Sequence, residues 1–220
     1  MVGTIRAIWI EQGDSIDFAK FRSLGLDRIY VDIRPEYNPV DRVAEIRDNG
    51  FTAGVYWGAA WGEQNYIPAD FARYISDQIA AMEKAWKVQK KSLQVEFQFD
   101  YEYHNSQYVE EWLKAWRVLR PLKQTSWTLE SWQGGQYTWI TKSLADLINN
   151  DPNLLVVPQL YTGDMNTLVD SAAAFQNLRW MVHPDGQQGG ISESRLRGFY
   201  NASNFPHSGW SGFLFTNRNL

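Results

Sequence analysis

The sequence predicts an α/β fold, a single (β/α)8 barrel of TIM type, and three observations carry that expectation. Eight apolar, β-type runs alternate with seven helical patterns along the chain. No Pro/Ser-rich linker or break in composition interrupts the alternation, so residues 1–220 read as one domain. The first strand-to-helix turn, WIEQGDS, holds a single glycine, whereas a doubly wound nucleotide-binding sheet announces itself with a Gly-rich turn.

IRAIWI opens the barrel as its first strand, and SIDFAKFRSLG follows as a helix with Asp14 or Ser15 as its cap and Gly25 as its stop. RIYVDI is the second strand. PVDRVAEIRDNG then places Pro39 in a first helical turn and Gly50 just beyond the last, the asymmetry expected of helix ends. TAGVYW is the third strand. From Pro68 to about Lys90, Phe71, Tyr74, Ile75, Ile79, Met82, Ala85 and Trp86 fall on one helical stripe. QVEFQFDYE is the fourth strand, and SQYVEEWLKAWRVL is a helix with Val109, Trp112, Leu113 and Trp116 on its inner face. SWTLES, LLVVPQLY, RWMVHP and GFLFT supply the remaining strands, with TWITKSLADLINN, TLVDSAAAFQN and SESRLRGFYN between them. No helical pattern follows GFLFT, so the expected barrel is compact and irregular, its last helix missing.

Within VEFQFDYEYHN, strict alternation puts Gln98, Asp100 and Glu102 on one face of the fourth strand. An inward row of amide and carboxylates is costly to bury unless something satisfies or uses it. Barrel enzymes carry their sites at the C-terminal strand ends. There the sequence offers Trp9 and Glu11, Asp32 and Arg34, Tyr56, Trp57 and Trp61, Asp100, Glu102 and His104, Glu130, Gln159 and Tyr161, then His183. Carboxylates mixed with aromatic rings suit a sugar, whose apolar faces stack on rings while its hydroxyls bond to acids. Glycosidic cleavage needs one protonated carboxyl and one carboxylate. Asp100 and Glu102, roughly 6–7 Å apart along a strand, raise each other's proton affinity. In the competing reading these polar ends only bind one another and water, with Arg34 a simple counter-ion.

Composition narrows the partners. A net charge of −4 argues against nucleic acid, and no apolar run approaches a membrane span. The N-terminus lacks the basic, apolar and small-residue segments of a signal peptide. Cysteine is absent, which removes disulfides and thiolate metal sites. His104, His183 and His207 have no paired spacing, so neither metal nor other cofactor is expected. No GxSxG elbow is present.

The stretch WIEQGDSIDFAKFRSLGLDRIYVDIRPEYN, with DRVAEIRDNGFTAGVYWGAAW after it, resembles the opening of the family-25 glycoside hydrolases, the muramidase-type lysozymes. FDYE falls where that family carries its Asp-x-Glu pair. The resemblance implies peptidoglycan or a related glycan as substrate, Glu102 as general acid and Asp100 as the residue that orients or stabilises. The strand-end reading adds Glu11, Asp32, Trp57, Trp61, His104, Glu130, Tyr161 and His183 as the residues expected around the sugar. Two family carboxylates are missing: one position is Ala7, with Glu11 nearby, and the other falls at Thr216 and Asn217. Glu130 or Asp32 is then the replacement. Without an export signal, the chain is also similar to glycosidase-like domains of bacteriophage tails, which implies other virion proteins as partners and a virion-borne or, until lysis, cytoplasmic location. Two readings stay open: a cell-wall glycosidase, or an inactive glycosidase-like minor tail component that binds host glycan or builds structure.

Overall fold

β1 (Ile5–Ile10) is paired on both sides by parallel strands, β2 (Arg28–Asp32) and β8 (Gly212–Thr216), and that double pairing closes the sheet into a barrel. The computed structural model describes residues 5–11, 13–58, 65–88, 95–101, 104–129, 139–160, 175, 181–184, 194 and 212–216. Between β2 and β8 the strands run in chain order and all in parallel: β3 (Thr52–Gly58), β4 (Glu96–Asp100), β5 (Thr125–Leu129), β6 (Leu154–Leu160) and β7 (Met181–Pro184). All eight runs expected to be strands are strands.

Helices α1 (Phe18–Ser23), α2 (Pro39–Asp48), α3 (Pro68–Val88), α4 (Ser106–Leu119) and α5 (Lys142–Asn149) fill the described crossovers, and a 3-10 turn over Pro35–Tyr37 precedes α2. The two later helices expected over TLVDSAAAFQN and SESRLRGFYN lie outside the described residues, apart from Phe175 and Ser194, as does the glycine loop after Pro184. One cap differs from expectation. Asp17, in place of Asp14 or Ser15, caps α1 by accepting the Lys20 amide at 2.9 Å. The physical reason is that the Asp14 amide donates to the Glu11 carbonyl in a turn ahead of the helix, so the helix begins later. β4 also stops at Asp100, two residues short of the expected end.

Alternation along the strands divides the core into two concentric layers. Outward residues of the sheet meet the helices, with Phe97, Phe99, Tyr101 and Trp127 packed against the α4 face Tyr108, Val109, Trp112, Leu113 and Trp116. Phe99 and Trp112 stack with centroids 3.9 Å apart, and the Trp116 indole donates to Thr125 Oγ1 at 3.0 Å. Inward residues Ala7, Trp9, Tyr30, Tyr56, Leu155 and Val157 form a second, smaller cluster in the lumen.

Tyr30 shows how tightly the lumen is filled. Its ring lies across β3, where a Cβ at Gly54 would sit 2.3 Å from two ring carbons, so no other residue fits. The Tyr30 hydroxyl donates to Glu96 Oε2 at 2.7 Å, and the Arg28 guanidinium donates to the same oxygen at 2.6 Å, which closes the N-terminal end. Burial, reinforced by the Glu96 charge, holds the Tyr30 phenol well above its ordinary range and so protonated.

Candidate functional site at the C-terminal mouth

The opposite end of the lumen has a polar floor. The Trp9 indole donates to Gln98 Oε1, and the Gln98 amide donates to Thr128 Oγ1 at 3.1 Å, so one side chain ties β1, β4 and β5 together. Trp9 stacks on Tyr56 with centroids 5.7 Å apart, and the Tyr56 hydroxyl donates to the Ile10 carbonyl at 3.2 Å. The amide of the inward row is therefore satisfied in full view of the sheet: both its donor and its acceptor have named partners. Gln98, Thr128 and Gln159 are completely buried.

Two residues beyond this floor, on the same strand faces, stand the mouth residues. Asp32 follows Tyr30, Gly58 follows Tyr56, Asp100 follows Gln98, and Glu11 follows Trp9 just past β1. Asp100 is half-buried and faces Gly58 across the ladder, with its Oδ2 3.6 Å from where a Cβ at position 58 would lie. A Cβ at 58 would meet that carboxylate at ordinary contact distance.

Asp32 is 1% exposed and has a cation to itself. The Arg34 Nε donates to Asp32 Oδ1 at 2.9 Å and to Oδ2 at 3.0 Å, its Nη2 donates to Oδ2, and its backbone amide adds a bond to Oδ1 at 2.9 Å. These bonds, outweighing the desolvation that opposes them, raise the Arg34 guanidinium above its ordinary value. Arg34 also lies over the Tyr37 ring at 5.1 Å and near the Trp57 ring at 5.9 Å.

Of the residues expected around a ligand, the structure brings Glu11, Asp32 and Asp100 to the mouth. Trp57 is placed elsewhere. It faces outward on β3, 4% exposed, with its ring edge-on to Phe71 at 5.8 Å and Tyr74 at 5.3 Å of α3. The reason is the two-residue period: with Tyr56 in the lumen, Trp57 must join the helix-facing layer. His104 is exposed beside the mouth and stacks on Trp139 at 5.4 Å. His183 lies on β7, opposite Gln159 of β6. Glu102, Trp61, Glu130 and Tyr161 lie outside the described residues.

Sequence reasoning missed two features. The Trp9–Gln98–Thr128 relay was legible only as an inward amide needing partners. A groove of about 490 Å³ beside the mouth, lined by residues of the segments 13–16 and 36–45, includes Tyr37 and Arg42. The RPEYNP run, with a proline on either side of Tyr37, was its one sequence signal. Among the described residues no cluster of three or more His, Cys, Asp or Glu could hold a metal ion, and no helix is long and apolar enough to cross a membrane.

No family model matches the sequence, and no curated protein matches it. Among solved structures, the chain is similar to the catalytic domain of the Thermobifida fusca endoglucanase Cel5A, crystallised as a variant in complex with cellotetraose. The superposition has a TM-score of 0.56 at 15% identity and covers 96% of this chain and 78% of that one. At that identity the likeness establishes the barrel fold, nearly end to end.

Proposed function

We propose that this barrel handles a glycan at its C-terminal mouth, as a glycoside hydrolase with Glu102 as general acid and Asp100 as its partner carboxylate. The observation that carries the reading is Asp100 itself: an inward carboxylate ending β4, above a polar floor and opposite Gly58 on β3. Support comes also from the likeness to a barrel whose structure holds cellotetraose, and from aromatic faces beside the mouth such as His104 on Trp139. The chemistry follows from the pair. A protonated Glu102 would give its proton to the leaving oxygen, while Asp100 would stabilise positive charge at the anomeric carbon. Glu11, just past β1, is the third acid in this proposal. Cell-wall glycan is the proposed substrate, on the strength of the Asp-x-Glu motif and the lysozyme-like opening of the chain.

One observation favours a second reading. Asp32, one of the acids available to replace a missing carboxylate, has both oxygens engaged by Arg34. That fits a barrel which binds glycan without cleaving it, for instance as a virion component that meets a host surface. Reducing-sugar release from purified cell walls and from neutral glucans, by wild type and Glu102→Gln, separates the two. Release abolished in the variant supports the hydrolase. No release from any glycan, with binding retained, supports the second reading.

A further inference from the structure

We propose that the groove between segments 13–16 and 36–45 is a sugar-binding site that accepts neutral or amino sugars and rejects uronic acids. The inference rests on the glycan reading and extends it to a place and a charge selectivity.

Its position is the first argument. The groove begins just past two mouth acids: Gly13 lies two residues after Glu11, and Glu36 lies four residues after Asp32. A chain of sugars leaving the mouth on the β1–β2 side enters it. Its volume, about 490 Å³, lies within the range of small-molecule sites.

A fixed aromatic wall is the second. Tyr37 is half-buried, closes the 3-10 turn over Pro35–Tyr37, and precedes Asn38, which is held in the left-handed region at φ 51°. Behind the ring stands Arg34, itself clamped on buried Asp32, so the platform is tied to the barrel mouth. Gly13 keeps the ring edge uncovered, since a Cβ there would lie 3.8 Å from Tyr37 Cδ1, and its φ of +88° disfavours any other residue. A ring fixed before binding loses little freedom when a pyranose stacks on it.

Charge is the third. Three carboxylates, Asp14, Glu36 and Glu45, and one guanidinium, Arg42, line the groove, which leaves acidic charge in excess. The Arg42 Nη2 donates to the Asp14 carbonyl and staples the two walls together. Burial lowers its proton affinity, as expected of a cation set into the groove's wall. The acidic surplus accepts hydroxyls and an ammonium and repels a sugar carboxylate.

The test uses the full chain and three tetramers: cellotetraose, fully deacetylated chitosan tetramer and tetragalacturonate. Binding is followed by amide chemical shifts and by titration. The proposal expects shifts across 13–16 and 36–45 with the first two ligands. Tyr37→Ala should weaken cellotetraose about tenfold, and Glu36→Gln with Glu45→Gln should weaken the chitosan tetramer about tenfold while leaving cellotetraose within about twofold. Asp100→Asn should leave these groove shifts in place. Shifts confined to the strand ends and indifferent to Tyr37→Ala would overturn the groove while leaving the glycan reading standing. Tetragalacturonate binding as tightly as the chitosan tetramer overturns the charge selectivity. Absence of binding by all three overturns both.

Discussion

A carboxylate as buried as that of Asp32 costs several kcal/mol to desolvate, and only a cation in the same site makes it tolerable. Arg34 meets both of its oxygens, which makes the pair all-or-nothing. Arg34→Ala should therefore destabilise the fold by about 3–5 kcal/mol, and the double change Asp32→Asn, Arg34→Met by clearly less. Urea unfolding of the single and double variants decides this; equal losses would mean that Asp32 does not depend on its partner. Gly54→Ala tests packing at the same scale. Its new methyl falls on the Tyr30 ring, and a loss of about 1–3 kcal/mol is expected in the same assay, whereas an unchanged midpoint would contradict the close approach. Single residues were the least legible in the sequence. Arg34 already stood beside Asp32 as a counter-ion, but nothing local tells whether an i,i+2 pair at a strand end points to solvent or clamps a buried acid. Trp57 was legible in principle, because assigning Tyr56 to the lumen sends Trp57 outward.

Elements were read far better, because their signals are periodic. The stripe Val109, Trp112, Leu113 and Trp116 alone places α4 on the sheet, and all four are buried there. Trp112 stacks on Phe99 and Trp116, and Trp112→Ala should cost about 3–5 kcal/mol in thermal or urea unfolding; a loss under 1 kcal/mol would show that α4 is not anchored by that ring. α3 and the segment after α4 are joined by Glu83, which accepts from Arg120 at 3.0 Å and from Lys123 at 3.1 Å. Burial pushes the Glu83 carboxyl up, but Lys123 and Arg120 together outweigh it and hold the group below its ordinary value. The unfolded chain thus takes up that proton first. The stabilisation is complete above the ordinary glutamate value of about 4.3 and drains away as pH falls through the lower folded value. Glu83→Gln should accordingly flatten the acid limb of the stability profile; an identical slope below that pH would deny the linkage. Caps sit at the limit of legibility. Asp14, Ser15 and Asp17 are all acceptable capping residues, and only the turn closed on Glu11 selects the last of them.

For the whole molecule, strand count, order and parallel direction were all legible, since alternating β and helical runs without a Gly-rich first turn leave few topologies other than a closed barrel. Closure between β1 and β8 then dictates that every strand end opens on one face, and Asp100, Asp32 and Glu11 gather there from strands that are distant in sequence. What sequence could not supply is the division of labour among those acids, because it depends on which one a cation has taken. Asp32 is bound by Arg34, and Asp100 ends β4 as an inward acid of the mouth, with Glu102 two residues after it in sequence. The measurement that tests this most directly is sugar release from a glycan panel by wild type and Asp100→Asn, with the unfolding midpoint of each recorded. Release should fall by about a hundredfold or more at an unchanged midpoint. Release undiminished in Asp100→Asn would place the chemistry elsewhere and contradict the proposal.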